Sequence, residues 1–190
     1  MKRPSSHPWM ALIPLGHVDP KHLEAVARTL VHTFRMETRQ MSPWPLPPEG
    51  FDSARTQYNS RRILTLLEDK APSGPVKVLA VTAMRLFSPI FSHVFGEAQL
   101  GGRCAVISCH PLLPPEGLHR ERRRLVVDRL TKEAVHEMGH CFGLHHCLDP
   151  LCAMRLCLTL EEIDTRRPSF CPACAQLLQE SLAKHLSSPD

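Results

Sequence analysis

The sequence is short of aromatic residues, of net charge and of long apolar runs. Aromatic side chains make up 5% of the 190 residues. The one concentrated basic run, Arg120-Glu121-Arg122-Arg123-Arg124, therefore has no aromatic or glycine interleaving of the kind a nucleic-acid-stacking surface uses. A formal charge of +4 and a pI near 8.7 are too mild to imply a nucleic-acid partner on their own. The run reads as the solvated start of a helix. No stretch approaches the ~18 consecutive apolar residues that a membrane helix requires. Met1-Lys2-Arg3-Pro4 has the flavour of a signal n-region, but the apolar run Trp9–Leu15 is short and holds Pro14. No small-residue cleavage site follows it, so the expectation is a cytoplasmic protein with no membrane partner.

What the sequence does have is proline, cysteine and histidine. Its 18 prolines gather at 43–48 and 111–115, between candidate elements, and read as loop-formers. A hydrophobic content of 43% is normal for a globular protein. The length suits one compact domain covering 1–190, expected to be a monomer. Eight cysteines, an even number, admit a disulfide framework. With nothing to indicate secretion, and four of the eight at metal-ligand spacing, reduced and metal-bound thiols are the better reading.

Periodicity predicts a first strand over Met10–Leu15, ending at Gly16. Asp19-Pro20 offers an N-cap and an N1 proline, and Leu23, Val26, Ala27, Leu30, Val31 and Phe34 follow at helical spacing, giving a helix to about Arg39. A second helix is expected over Tyr58–Asp69. Val76–Val81 reads as a buried strand, and 94–100 and 104–109 as two strands joined through Gly101-Gly102 as a hairpin. A long helix is expected from Arg120 to about Phe142, stopped by Gly143 at the C′ position. Thr159 with Glu162 makes a capping box for a short helix, and 173–186 a last amphipathic one.

The segment with the most chemistry is His136-Glu137-Met138-Gly139-His140, extended by Gly143 and His146. His136 and His140, four apart on a helix, share a face and can hold one zinc ion. A glycine turn at Gly143 lets the chain swing back so that His146 adds a third nitrogen. Three neutral imidazoles leave an open fourth position. Glu137 is placed as general base for a water activated there, and can hand the proton to a leaving amine. The added Gly143 and His146 make the motif far more specific than a bare H-E-x-x-H. Val126, Leu130, Ala134 and Met138 form an apolar stripe roughly opposite, as suits a helix packed on a sheet. His145 is a rival ligand for His146; the motif spacing favours His146.

Cys147, Cys152, Cys171 and Cys174 follow at once. Cys171-Pro172-Ala173-Cys174 is a C-x-x-C knuckle, and Cys147 with Cys152 forms a looser pair. Together they can hold a closed tetrahedral zinc that staples the motif helix to the C-terminal one; unpaired core thiols or two disulfides are the other readings. Cys104 and Cys109, an odd number apart, would face opposite sides of a strand. Cys141 and Cys157 lack partners at ligand spacing. All four read as buried thiols.

His136, Glu137, His140, Gly143, His146, Cys147, Cys152, Met154, Cys171 and Cys174 together resemble the archaemetzincin family, in which the histidine motif runs directly into a cysteine, a C-x-M element and a distal C-x-x-C. Weaker similarity reaches Phe51-Asp52, Gln57-Tyr58, Ile63-Leu64, Val94 to Ala98 and Ala105 to Ser108. The resemblance implies a compact α/β (α+β) metzincin-like domain: a mixed twisted sheet on helices, a long active-site helix and a zinc-stapled C-terminal part. It implies peptide hydrolysis, two Zn2+ per chain (one catalytic, one structural) and a peptide or protein as substrate. It puts Met154 beneath the catalytic zinc; from the residues alone Met154 is a core methionine. Two positions depart from the family pattern. An acid is absent from Thr82-Ala83-Met84-Arg85-Leu86-Phe87, and Arg155-Leu156 replaces a small polar residue and an aromatic after Met154. Arg155 would favour acidic groups if it faced the cleft, and would be inert if it faced solvent.

Three functions are set apart by these features. A zinc peptidase needs Glu137; a catalytically weak, zinc-stabilised peptide-binding protein does not. A nucleic-acid binder would rest on Arg120 to Arg124, for which the solvated reading is preferred.

Overall fold

The computed structural model describes residues 7–112 and 119–187. The basic start at residues 1–4 and most of the proline-rich loop at 111–115 lie outside the described residues, as do the side chains of Arg120 and Arg122.

Strand β1 (Trp9–Leu15) is followed by helix α1 (Pro20–Phe34), with Asp19 as its N-cap, accepting from the Lys21 N–H at 2.9 Å. The helix stops five residues earlier than its periodicity suggests. Arg35 takes a left-handed conformation (φ 54°) and its N–H closes onto the Val31 carbonyl. An arginine does here what glycine usually does, so no stop signal is visible in the sequence. Met36 packs into the core, and Glu37–Gln40 forms strand β2, parallel to β1.

Strands β3 (Phe51–Asp52), β4 (Gln57–Asn59) and β6 (Leu86–Phe87) make a small three-stranded sheet. Helix α2 (Ser60–Lys70) starts two residues later than expected, because Gln57 and Tyr58 are paired in β4 and Asn59 is the cap. Strands β5 (Lys77–Thr82), β7 (Gly96–Ala98) and β8 (Cys104–Ser108) complete the main sheet in the order β2-β1-β5-β8-β7. All pairs are parallel except β7–β8, the expected hairpin through Gly101-Gly102. Strand β7 is shorter than the expected 94–100. Val94 leaves the ladder to bridge Leu86, and Gln99 begins the turn. This places β7 at the sheet's edge.

Helices α3 (His119–Cys141), α4 (Leu160–Thr165) and α5 (Pro172–Ser187) follow, α4 with the full Thr159–Glu162 capping box. The strict alternation of β5 sorts the core into two layers. Leu79 and Val81 face α1 and α3, where the Val126, Leu130, Ala134 and Met138 stripe packs. Val78 and Ala80 face Ile63, Leu64 and Leu67 of α2. Cys104 lies in the second layer and Cys109 in the first, as their odd spacing requires. The sheet thus supports α3 from below and offers its free edge, β7, beside the last turns of that helix. Among the described residues no helix is long and apolar enough to cross a membrane.

Candidate active site

Helix α3 carries His136, Glu137 and His140 on its last two turns. Gly143, at φ 86°, then reverses the chain, and the amides of Gly143 and Leu144 close back on the carbonyls of His140 and Gly139. The hairpin tip helps to cap the same helix: the Gly101 N–H donates to the His140 carbonyl at 2.8 Å. Beyond this turn His146 comes back over the helix. The Nε2 atom of His140 lies 3.2 Å from that of His136 and 3.2 Å from that of His146. His145 points elsewhere and only lines the cleft.

The three rings are set to receive a cation. Nδ1 of His136 donates to the Ala153 carbonyl at 2.8 Å, and Nδ1 of His140 to the Leu144 carbonyl at 2.7 Å. Each ring therefore spends its one proton outward and aims the Nε2 lone pair inward. Zinc bonded to nitrogen at ~2.0–2.1 Å in tetrahedral geometry separates its ligands by about 3.3 Å, which fits the spacing seen. Burial pushes the His136 imidazole well below its ordinary value, with the Arg166 charge and the neighbouring imidazoles acting in the same direction. Burial likewise brings His140 down to about 4 and lowers His146. All three are neutral near pH 7, as ligands must be.

Glu137 is buried beside them. Its side chain passes so close to β7 that a Cβ on Gly96 would sit 2.7 Å from the Glu137 Cγ. Burial raises this carboxyl well above its ordinary value; the Glu133 charge adds to the effect, and Arg166 opposes it. Met154 is fully buried beneath the helix, against Gly139, where a Cβ would collide with its Sδ.

The four cysteines Cys147, Cys152, Cys171 and Cys174 form the second cluster, with all four sulfurs within 4.8 Å of one another. The Cys147 and Cys171 sulfurs are 3.8 Å apart, which is about the edge of a tetrahedron with Zn–S of ~2.3 Å. Burial raises the Cys152 thiol, and the backbone amides of Met154 and Cys171, which point at its sulfur at 3.4 Å, oppose that shift. Cys147 directly follows His146, so the two candidate metal sites share one stretch of chain. Cys104, Cys109 and Cys141 are buried outside both clusters, and Cys157 lines the cleft.

Two further residues, Arg166 and Glu133, belong to the site. Arg166, after α4, pairs with Glu133 of α3, and its Nη1 donates to the Arg155 carbonyl at 3.0 Å. The same Nη1 lies 2.9 Å from His136 Nδ1, whose proton is already given to Ala153, so that contact is a close charge and no hydrogen bond. Glu133 did carry a signal, since it shares the metal face of the helix with Glu137 and His140. Arg166 carried none. Arg155 does not line the cleft; its guanidinium turns to the Leu148 carbonyl at 3.4 Å. In its place Leu156, Cys157 and Leu158 form one wall of a cleft of about 550 Å³. Ile90, Phe91 and the β7 edge form the other.

Three convergent imidazoles over a buried glutamate, with a four-cysteine cluster that begins at the residue after His146, define the class as a zinc metallopeptidase. A sequence model of peptidase family M54 matches residues 52–180. The archaemetzincin of Methanopyrus kandleri is 37% identical over 139 residues, 73% of this chain and 75% of that protein. That of Archaeoglobus fulgidus is 35% identical over 164 residues, 85% of this chain and 94% of that one. Their crystal structures superpose with TM-scores of 0.83 and 0.76, covering 96% and 88% of this chain and 99% of each of theirs, at 30% and 34% identity. The chain belongs to peptidase family M54, the archaemetzincins.

Proposed function

We propose that this chain hydrolyses peptide bonds, with zinc held by His136, His140 and His146 and with Glu137 as the general base. The observation that carries the reading is the inward convergence of three Nε2 lone pairs beside a buried carboxylate of raised pKa. When bound, zinc supplies Lewis acidity to a water and to the scissile carbonyl. Glu137 takes a proton from that water as its oxygen bonds to the carbonyl carbon, and returns the proton to the amine nitrogen as the C–N bond breaks. Burial alone favours the protonated Glu137, and the charge of a bound zinc would favour the carboxylate that accepts the proton. Cys147, Cys152, Cys171 and Cys174 hold a second, structural zinc.

The substrate joins the sheet. Strand β7 is an edge, and an extended peptide adds to its free backbone groups as an antiparallel neighbour. Ile90, Phe91, Leu100, Leu156 and Leu158 are all substantially exposed around the same cleft, Ile90 by 74%. Such a rim favours apolar side chains beside the scissile bond. Residues 1–190 act as one domain, as a cytoplasmic monomer. A protein that only captured peptides would have no use for Glu137.

Glu137→Ala tests this directly. The variant keeps its fold and both zinc ions and loses activity on an apolar peptide by ~10²–10⁴-fold, the usual scale of acid–base catalysis. Unchanged turnover at equal zinc content would end the assignment.

A further inference from the structure

The cleft has a neighbour. A hollow of about 570 Å³ shares Ser92, His93 and Val94 with it as a common wall. Arg85, His93 and His110 line this hollow, and among the described residues no carboxylate does. His110 is near enough to Arg85 for the guanidinium to disfavour its charged form, in the same direction as burial. Arg55 and Arg61, nearby in the chain around the small sheet, are each paired with an acid, Asp52 and Glu97. Arg85 is exposed and forms no ion pair with a described residue. A cation lining a concavity without a counter-charge is a place for an anion.

The wall is fixed, and it leads from the catalytic centre. The Val94 N–H donates to the Leu86 carbonyl at 3.0 Å, the Ser108 N–H to the Phe95 carbonyl at 2.8 Å, and the His93 ring stands edge-on to Phe95 at 5.9 Å. Gly96 lies against Glu137, so it marks the reacting position along β7. Val94 and His93 are two and three residues upstream, about 7–10 Å along an extended chain. A peptide antiparallel to β7 sends its C-terminal half that way.

We infer that the hollow lined by Arg85, His93 and His110 is a subsite for a carboxylate carried by the substrate two to four residues after the scissile bond. The inference rests on the peptidase reading above. The carboxylate comes from an Asp or Glu side chain or from the end of the peptide, and the hollow's chemistry suits both.

Two pairs of quenched peptides with leucines at the cleavage point test it on the full zinc-loaded chain. In the first pair, blocked at both ends, the third residue after the bond is Asp or Asn. In the second, the peptide ends at that residue as a free carboxylate or an amide. The acidic member of at least one pair is expected to show a kcat/KM about three- to tenfold higher, the range of partly exposed charge-assisted contacts. Which pair responds identifies the carrier. In Arg85→Gln the ratio falls towards one. A ratio of one in both pairs for the native chain overturns the subsite, as does a ratio that survives in Arg85→Gln. Binding of the same peptides to the Glu137→Ala chain, read by fluorescence anisotropy, separates the two readings. Preference for the acidic peptide without turnover by the native chain keeps the subsite and removes the peptidase. Turnover without preference does the reverse.

Discussion

Arg166 holds a full charge where 1% of its surface reaches solvent. A guanidinium buried alone is costly, and Glu133 pairs with it; burial raises the Glu133 carboxyl, and the Arg166 charge and hydrogen bond oppose that shift. Removing one partner leaves the other stranded. Arg166→Met is therefore expected to cost ~3–5 kcal/mol, and the double variant with Glu133→Met to recover much of it. Urea denaturation of the zinc-loaded chains measures both; a single-variant loss below ~1 kcal/mol would contradict the account. Gly96 is a second residue whose role is steric. A methyl group there meets Glu137 Cγ at 2.7 Å and the Val106 carbonyl oxygen at 2.9 Å, and a backbone oxygen cannot step aside. Gly96→Ala should lower kcat/KM by at least ~10-fold, since a displacement near 1 Å costs about 10²-fold. Activity equal to native would show that Glu137 does not depend on this contact. Neither feature was legible beforehand. Glu133 and Arg166 are 33 positions apart, and the approach of Gly96 to Glu137 is made by folding alone.

Elements with a strong period or a chemical stop are legible in the sequence. Helix α3 ends where Gly143 ends it, α4 carries its capping box, and the β7–β8 hairpin turns at Gly101-Gly102. Elements without such signals are not. Strands β3 and β6, two residues each, are too short to show a period, and Arg35 hides the end of α1. The segment that matters most for stability runs from His146 through α4 to Cys174. It starts with a candidate zinc ligand and closes on a cluster whose last member opens helix α5. Cys174→Ser is expected to release one zinc and to lower stability sharply. Structural zinc supplies ~10–16 kcal/mol in small peptides, and the core here offsets only part of the loss. The catalytic zinc should also bind more weakly, because Cys147 anchors the neighbour of His146. An unshifted melting temperature with zinc retained in full would refute this.

At the scale of the whole molecule, the sequence carried the metal chemistry but little of the architecture around it. Ligand spacing is local, so short motifs single out His136, His140, His146 and the four cysteines as candidates, and the structure brings their atoms together in two groups that could each hold a metal ion. Sheet order, the exposure of β7 as an edge and the hollow around Arg85 depend on contacts between distant segments, and no pattern in the chain encodes them singly. Arg155 shows the same limit: its charge was visible, but its turn away from the cleft was not. The proposed function requires two separate metal centres in one folded chain, one of three imidazoles and one of four thiolates. Native mass spectrometry of the intact protein tests this most directly. Two zinc ions are expected on the native chain and one on His146→Ala, with the folded charge-state distribution unchanged. A native chain that folds with fewer than two, or a His146→Ala chain that keeps both, would contradict it.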